Sequence, residues 1–515
     1  MVASPLVRSY FPPQAGPWQA GPRVTRKRWG AVSLFHEDRL LIDGELVHAG
    51  RSFETVDPST GKVLGTASDA EAAHVEAAVA AARRAFDTTD WMRDRELRLR
   101  CLRQLYQALL LHREELRELT IAEVGAPRSL THATQLDEPI ELVKWYADLL
   151  ERYEFREELA LLESRGRTHR RWMEKEAAGV VAAILPYNFP NQLALAKLAP
   201  ALAAGCTVVL KGAPDTPWTT LALGRIIAEE TDIPAGVVNV LTSSRPETGE
   251  LLTTHPGVDM ISFTGSTPVG RAIMAAASAT LKKVFLELGG KSAMLVLDDA
   301  DFTQAAMFAA FTVCTHSGQG CGITSRLLVP RARHDEAVQL VAAMLARVTY
   351  GDPSDPATHM GPLISERQRT KVHGLVERAV AAGARLVTGG RPAEREGFFY
   401  EPTLLADVDP GSEIAQEEIF GPVLVVIPYD DEDHAVRIAN DSVYGLSGAV
   451  LGADDDRSIA VARRIRSGSF SINGGIYFGP DAPFGGFKQS GIGREMGVAG
   501  LEEFLELRTF GVPAK

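Results

Sequence analysis

Cys321 stands in Phe311-Thr-Val-Cys-Thr-His-Ser-Gly-Gln-Gly-Cys321-Gly-Ile-Thr-Ser-Arg326, directly after the irregular tetrad Ser317-Gly318-Gln319-Gly320. Ala305, Ala306, Phe308, Ala309, Thr312 and Val313 recur before it at helical spacing, and the tetrad ends that pattern. A thiol on such a turn is open to a substrate and becomes a nucleophile once ionised. It needs a base to manage protons and donors to hold developing negative charge. Without them, a free cysteine is as readily a small buried hydrophobe.

Residues of the right types lie upstream. Asn188 sits in Leu185-Pro-Tyr-Asn-Phe-Pro190, where two prolines fix an extended turn. Its amide suits an oxyanion, although asparagine also serves such turns for conformation alone. Leu286-Glu287-Leu-Gly-Gly-Lys291 places a carboxylate before two glycines, so Glu287 is either a base facing a cleft or the ion-pair partner of Lys291. Lys211 ends an apolar run and can reach a ribose hydroxyl or simply be solvated. Phe263-Thr-Gly-Ser-Thr-Pro-Val-Gly270 is a glycine turn opening a helix, and N–H groups at a helix start can approach a pyrophosphate. Its Gly-x-x-x-x-Gly spacing is not the dinucleotide fingerprint.

These residues fall at the ends of predicted strands. The strands are expected at 180–185, 207–210, 237–241, 259–263 and 283–287, with helices near 193–204, 216–229, 246–254 and 268–277 between them. Such alternation predicts a parallel sheet covered on both faces, with its ligand beyond the carboxyl ends of the strands. A second alternation from Ala293 to about Phe470 predicts another α/β domain around the thiol loop. Earlier in the chain, Asp43-Gly44 marks a hairpin, and Ser68-Asp-Ala-Glu71 reads as a capping box before an amphipathic helix. The charged run through Arg171 is expected to face another subunit or solvent.

Composition narrows the function classes. A chain of 515 residues supports at least two domains. Its net charge of -12 argues against nucleic acid as a partner and favours small molecules. Four cysteines with no Cys-x-x-Cys pair suit a reducing, cytoplasmic setting, and no metal site is expected. No apolar stretch is long enough to span a bilayer, so no membrane partner is expected. Residues 1–30 lack acidic residues and carry Arg8, Arg23, Arg26, Lys27 and Arg28, which reads as a loose basic tail.

Taken together, Pro186-Tyr-Asn-Phe-Pro190, Lys211, Phe263-Thr-Gly-Ser-Thr267, Glu287-Leu-Gly-Gly-Lys291, Gly318-Gln-Gly-Cys321, Glu417-Glu-Ile-Phe-Gly-Pro422 and Pro483-Phe-Gly-Gly-Phe-Lys488 resemble the aldehyde dehydrogenase superfamily, in its order and separations. The resemblance covers about Arg39 to the C-terminus. It implies an α/β fold with two Rossmann-like domains, nucleotide-binding and catalytic, and a small β oligomerisation element. The expected division is 31–155 with 177–287, then 288–488, with 156–176 and 489–515 forming the oligomerisation element of a homodimer or homotetramer.

The same resemblance implies oxidation of an aldehyde to the acid with NAD, NADP being the second choice. Cys321 would form the thiohemiacetal, Asn188 and the Cys321 N–H would hold its oxyanion, and Glu287 would activate water against the thioester. Lys211 would meet the adenosine ribose, Gly265 and Ser266 the pyrophosphate, and Glu418 with Phe420 the nicotinamide ribose; Lys197 and Glu495 would relay protons. One departure concerns the cofactor. Where NAD-preferring members often carry glutamate three residues after that lysine, this chain has Pro214 followed by Asp215. Asp215, with no arginine beside Lys211 in sequence, keeps NAD the preferred expectation.

By position the aldehyde tunnel would be lined by Phe189, Leu193, Ala196, Cys314, Thr315, Phe478 and Phe484. None is charged, which predicts apolar aliphatic, terpenoid or aromatic aldehydes over a semialdehyde or amino aldehyde. Three rival readings stand beside this one. They are transfer of the acyl group to coenzyme A, a hydrolase built on a Cys321–His316 dyad, and a binding protein without turnover.

Overall fold

The computed structural model describes residues 37–514. The basic segment 1–30 lies outside the described residues.

The described residues open with two hairpins, β1 (Leu40–Ile42) with β2 (Glu45–Val47) and β3 (Ser52–Asp57) with β4 (Lys62–Ser68). Asp43 and Gly44 both adopt positive φ, the conformation a two-residue hairpin turn demands. The helix Ala72–Thr88 starts three residues later than the Ser68 capping box predicts. Strand pairing claims Ser68 as the last residue of β4; Glu71 takes the cap, and its N–H donates to His74 Nδ1 at 3.1 Å.

The charged run folds as a long hairpin, β5 (Arg156–Ser164) and β6 (Arg167–Ala177). The expected alternation then follows: β7 (Val180–Ile184), β8 (Thr207–Lys211), β9 (Val238–Leu241), β10 (Met260–Thr264) and β11 (Lys283–Glu287), with helices between successive strands. A second set comprises β12 (Ser292–Val296), β13 (Thr324–Pro330), β14 (Arg385–Thr388), β15 (Thr403–Ala406), β16 (Val423–Tyr429), β17 (Ser447–Leu451) and β18 (Ser469–Ile472). The short β19 (Gly491–Ile492) and the long β20 (Leu505–Pro513) end the chain.

One eight-stranded sheet runs β19-β11-β10-β7-β8-β9-β1-β2, parallel from β7 through β11. The chain proceeds outward from β7 to β8 and β9, then returns to β10 on the other side. That reversal creates the crevice where open α/β sheets bind ligands, at the carboxyl edge. Register puts the informative residues on this edge, since Ile184 lies opposite Lys211 and Thr264 opposite Glu287. Strands β7, β8, β9 and β10 are buried throughout, as sheets covered on both faces require.

The second sheet has seven strands in the order β14-β15-β16-β13-β12-β17-β18, parallel except at β14. Its two faces carry separate apolar cores. One includes Leu375, Val376 and Ile438; the other includes Ala305, Ala309 and Val313 of the helix that leads to the thiol. Strand β19 pairs with β11 in the first sheet, while β20 joins β6 and β5 in a three-stranded sheet. Segment 489–515 therefore serves two sheets.

A buried carboxylate that local pattern did not announce fixes the helix after β8. Glu123, in the π-helical turn Thr120–Val124, accepts the N–H groups of Trp218 (2.9 Å) and Thr219 (2.6 Å) and the Thr219 hydroxyl. It thereby caps the helix Pro217–Glu230, whose first-turn donors have no partner within the helix. The loop carrying Lys211 and Asp215 is anchored at its far end by this cap.

Candidate active site

The helix Phe302–Cys314 begins at Asp301, whose carboxylate accepts the N–H groups of Thr303 and Gln304. It ends before a turn in which His316, Ser317 and Gly318 all have positive φ, at 48°, 56° and 73°. Two of these are not glycine, so the surroundings must hold the turn against strain. The Ser317 hydroxyl donates to Gly361 O. Gln319, fully buried, donates from Nε2 to His316 O at 3.2 Å and accepts the Ile364 N–H at 2.9 Å. Gly318 has no room for a side chain, since a Cβ would lie 2.1 Å from Gly421 O. The turn delivers Cys321 partly exposed, while Cys101, Cys206 and Cys314 are buried.

Glu287 ends β11 and is buried. No hydrogen-bond donor among the described residues reaches either carboxylate oxygen, and the Cys321 thiol is the neighbour that most favours its charged form. Burial, reinforced by the Glu495 carboxylate, pushes Glu287 up to about 8. Burial and the facing Glu287 charge push the Cys321 thiol well above its usual range. The two groups therefore hold protons as a pair: a second negative charge is resisted once the first is present.

Both glycines after Glu287 have a steric reason. A Cβ on Gly290 would lie 2.6 Å from Cys321 O, and one on Gly289 would lie 2.4 Å from Glu418 Oε2. The Gly290 N–H donates to Glu418 Oε1 at 2.9 Å. Thus the nucleophile turn and Glu418 close on the same dipeptide. Lys291 is not the ion-pair partner of Glu287. Its buried ammonium finds no hydrogen-bond partner among the described residues, and burial lowers it to about 7.

Asn188 is buried and donates from Nδ2 to Gln319 O at 2.9 Å, while Gln135 Nε2 donates to Asn188 O at 2.8 Å. A carboxamide carries two N–H donors, so one remains for a ligand. Among the described residues the Cys321 N–H meets no acceptor. His316 does not pair with the thiol: its ring lies edge-on to Phe189, 5.2 Å between centroids, and burial lowers it to about 4. This removes the geometric basis of a Cys321–His316 dyad. Lys197 and Glu495 form a buried ion pair, with the Lys197 ammonium 5.0 Å from the centre of the Phe285 ring.

The residues expected at a nucleotide lie along the same edge. Lys211 is buried, donates only weakly to Gly212 O at 3.3 Å, and is lowered by burial to about 8. Ser266 caps the helix Thr267–Ala277, and its exposed side chain makes no capping bond. The Gly265 N–H is spent on Glu287 O at 3.1 Å, and a Cβ there would strike the Phe263 ring. Ser266 and the following helix start are thus freer to receive an anion than Gly265. Phe420 adopts a φ of 57° and meets Tyr187 edge to face; Gln368 Nε2 holds it by donating to Phe420 O at 2.8 Å and Ile419 O at 3.2 Å. Gln368, Gln135 and Glu123 act at long sequence separation, and no local pattern announces them. Gln319, beside the thiol, could have been found from its polarity within an apolar turn.

Against this geometry, residues 47–510 match the model of the aldehyde dehydrogenase family. The chain belongs to this family. It is 43% identical to a 3-succinoylsemialdehyde-pyridine dehydrogenase from Pseudomonas sp, over 91% of this chain and 97% of that one. A Mycobacterium tuberculosis aldehyde dehydrogenase solved with NAD+ is 42% identical with a TM-score of 0.88, covering 92% of this chain and 97% of that one. Aldehyde dehydrogenase C from Pseudomonas syringae, solved with NAD+ and octanal, is 38% identical with a TM-score of 0.87, covering 92% and 96%. The protein is an NAD-dependent aldehyde dehydrogenase.

Within the aldehyde dehydrogenase, the apolar residues expected around the substrate divide. Phe478 and Phe484 meet edge to face at 5.6 Å. A Cβ on Gly322, next to Cys321, would lie 3.5 Å from the Tyr477 hydroxyl and 3.6 Å from Phe484. Aromatic groups therefore border Gly322, the residue after the nucleophile. Leu193 and Ala196 lie on the buried helix Pro190–Ala204, and Thr315 donates to Phe311 O at 3.1 Å. Cys314 corrects the expectation. Helical periodicity turns it into the apolar core with Met294, Val296 and Val313, where it is fully buried.

Proposed function

We propose that Cys321 is the nucleophile, Glu287 the general base, and Asn188 with the Cys321 N–H the oxyanion site of this enzyme. The observation that carries this reading is the confrontation of the Cys321 thiol with the otherwise unpartnered Glu287 carboxylate. Glu287 takes the thiol proton as the sulfur adds to the aldehyde carbon. The carbonyl oxygen becomes an oxyanion held by the free Asn188 donor and the Cys321 N–H. Bound NAD supplies the hydride acceptor that lets the adduct become a thioester. Once it has handed the thiol proton to the Lys197–Glu495 pair, Glu287 deprotonates the attacking water, and Cys321 leaves as thiolate when the acid is released. The buried Lys197–Glu495 pair passes the proton onward. Lys211, Ser266, Glu418 and Phe420 hold the nucleotide.

Two measurements follow from these roles. Asn188→Ala removes one of two oxyanion donors and lowers kcat by about 10²–10³-fold while NAD affinity stays unchanged. A loss below about threefold contradicts the assignment. The base acts deprotonated, and Glu287 is pushed up to about 8. Where deacylation limits turnover, kcat therefore rises with pH and levels above about pH 8. A flat profile between about pH 6 and 9 contradicts the role.

The substrate class supported best is an apolar aliphatic, terpenoid or aromatic aldehyde. Tyr477 and Phe484 border Gly322, next to the nucleophile, with Phe478 against Phe484, and a remote carboxylate would be desolvated among them without a partner. An aldehyde panel tests this: hexanal and benzaldehyde should exceed succinate semialdehyde in kcat/KM by about tenfold or more. The reverse order refutes the class.

The three-stranded sheet supports contact between copies, as a dimer or tetramer. Trp172 stacks on Phe510 at 5.2 Å, and Leu161 and Leu507 stand exposed on flanking strands. Four unpaired cysteines support a reducing, cytoplasmic setting. No helix among the described residues is long and apolar enough to cross a membrane.

A further inference from the structure

We infer that Lys291 and Arg326 bind one chloride ion in a small cavity behind the nucleophile turn. The cavity is lined by residues that include Lys291, Arg326, Tyr444, Ser447 and Ile465, and its volume of about 10 Å³ suits a single water-sized body. It lies at the amino ends of β12 and β17, which begin at Ser292 and Ser447. Ser447 connects it to the thiol turn, because its hydroxyl donates at 2.5 Å to the carbonyl of Gly322, the residue after Cys321.

Two buried cations meet at this cavity. Side chains alternate across a strand, so Lys291, one residue before β12, falls on the face of Ala293. Ala293 shares its core with Ala439 and Ile465, and both of these line the cavity. Lys291 is 1% exposed, and its ammonium has no hydrogen-bond partner among the described residues. The Arg326 guanidinium is also buried and donates to Lys291 O at 2.8 Å, Ile438 O at 3.1 Å and Ala439 O at 3.1 Å. Those acceptors are neutral. They satisfy its donors and leave its charge uncompensated.

The surrounding carboxylates act from farther off. Burial and then Arg326 oppose the Lys291 charge, while Glu418 and Glu417 favour it without forming an ion pair. Glu418 already accepts the Gly290 N–H. Burial opposes the Arg326 charge as well, and only Asp441 favours it. Lys488 brings a further cation near Arg326, its ammonium held by Asn440 O and Ser442 O. A desolvated ammonium without a partner is costly. Water in the cavity would accept its hydrogen bond, whereas an anion would accept it and balance the charge too. The volume leaves no room for phosphate, sulfate or an organic acid.

The full-length enzyme, crystallised from chloride-free gluconate buffer and soaked in sodium bromide, tests the site by anomalous scattering at the bromine edge. One bromine peak is expected in the cavity, and none there in Lys291→Met, which keeps the side-chain length without the charge. In solution, exchanging sodium gluconate for sodium chloride at constant ionic strength holds general screening fixed. It should raise the Tm of the wild type saturably, by about 2–4 °C, and leave that of Lys291→Met unchanged. A wild-type cavity holding an ordered water without bromine, bromide confined to exposed lysines, or equal Tm shifts in the two enzymes overturns the proposal. The wild-type soak decides on its own if the variant fails to fold.

Discussion

Glu287→Gln leaves a burst of NADH close to one per active subunit, then slows steady turnover by about 10²–10⁴-fold. The split follows from what the two half-reactions ask of the residue. Hydride loss needs the sulfur adduct and a held oxyanion, both of which survive the substitution once some thiolate forms. Thioester hydrolysis needs a base for water. No other carboxylate meets the thiol, since Glu495 is engaged by Lys197 and Glu418 by the Gly290 N–H. The amide is isosteric and neutral, and Glu287 has a raised pKa in a buried site, so the fold tolerates the change. It removes the base for the thiol but also lifts the charge that resists ionisation of Cys321, so that against burial alone the burst still forms, more slowly than in wild type. Rapid-mixing absorbance at the NADH band separates burst from steady state. Loss of the burst together with turnover would count against Glu287 as the base for thioester hydrolysis.

Cys321→Ala abolishes burst and turnover together, by about 10⁴-fold or more, while NAD still binds. No other thiol can substitute. Cys314 is seven residues away in sequence but faces the apolar core, where burial alone raises it far beyond ionisation near neutrality. Cys314→Ala therefore retains the burst. If that variant lost the burst while Cys321→Ala kept it, the nucleophile would have been misassigned.

Sequence carried far where local chemistry decided the outcome. Strands β7 to β10 are predominantly apolar runs buried on both faces, and β11 is buried in its last three residues, so their ends were legible, and with them the edge that carries Lys211 and Glu287. Gly289 and Gly290 were visible as a place where chains approach, though not which atoms approach. Only the fold brings Cys321 O to one and Glu418 to the other. Cys314 was misplaced because motif position says nothing about which side of a helix a residue faces. Ser68 was misplaced because strand pairing outcompeted a local cap. Gln135 and Gln368 remained hidden, since each donates to a partner more than fifty residues distant.

The central claim is that the acyl group rides on Cys321 until Glu287 releases it. Acid-quenching Glu287→Gln enzyme after mixing with NAD and octanal, followed by peptide mass spectrometry, tests this directly. The account predicts an octanoyl mass on the peptide containing Cys321, labile to hydroxylamine and absent without NAD. Unmodified Cys321 after a full NADH burst, or the acyl mass on another residue, would contradict it.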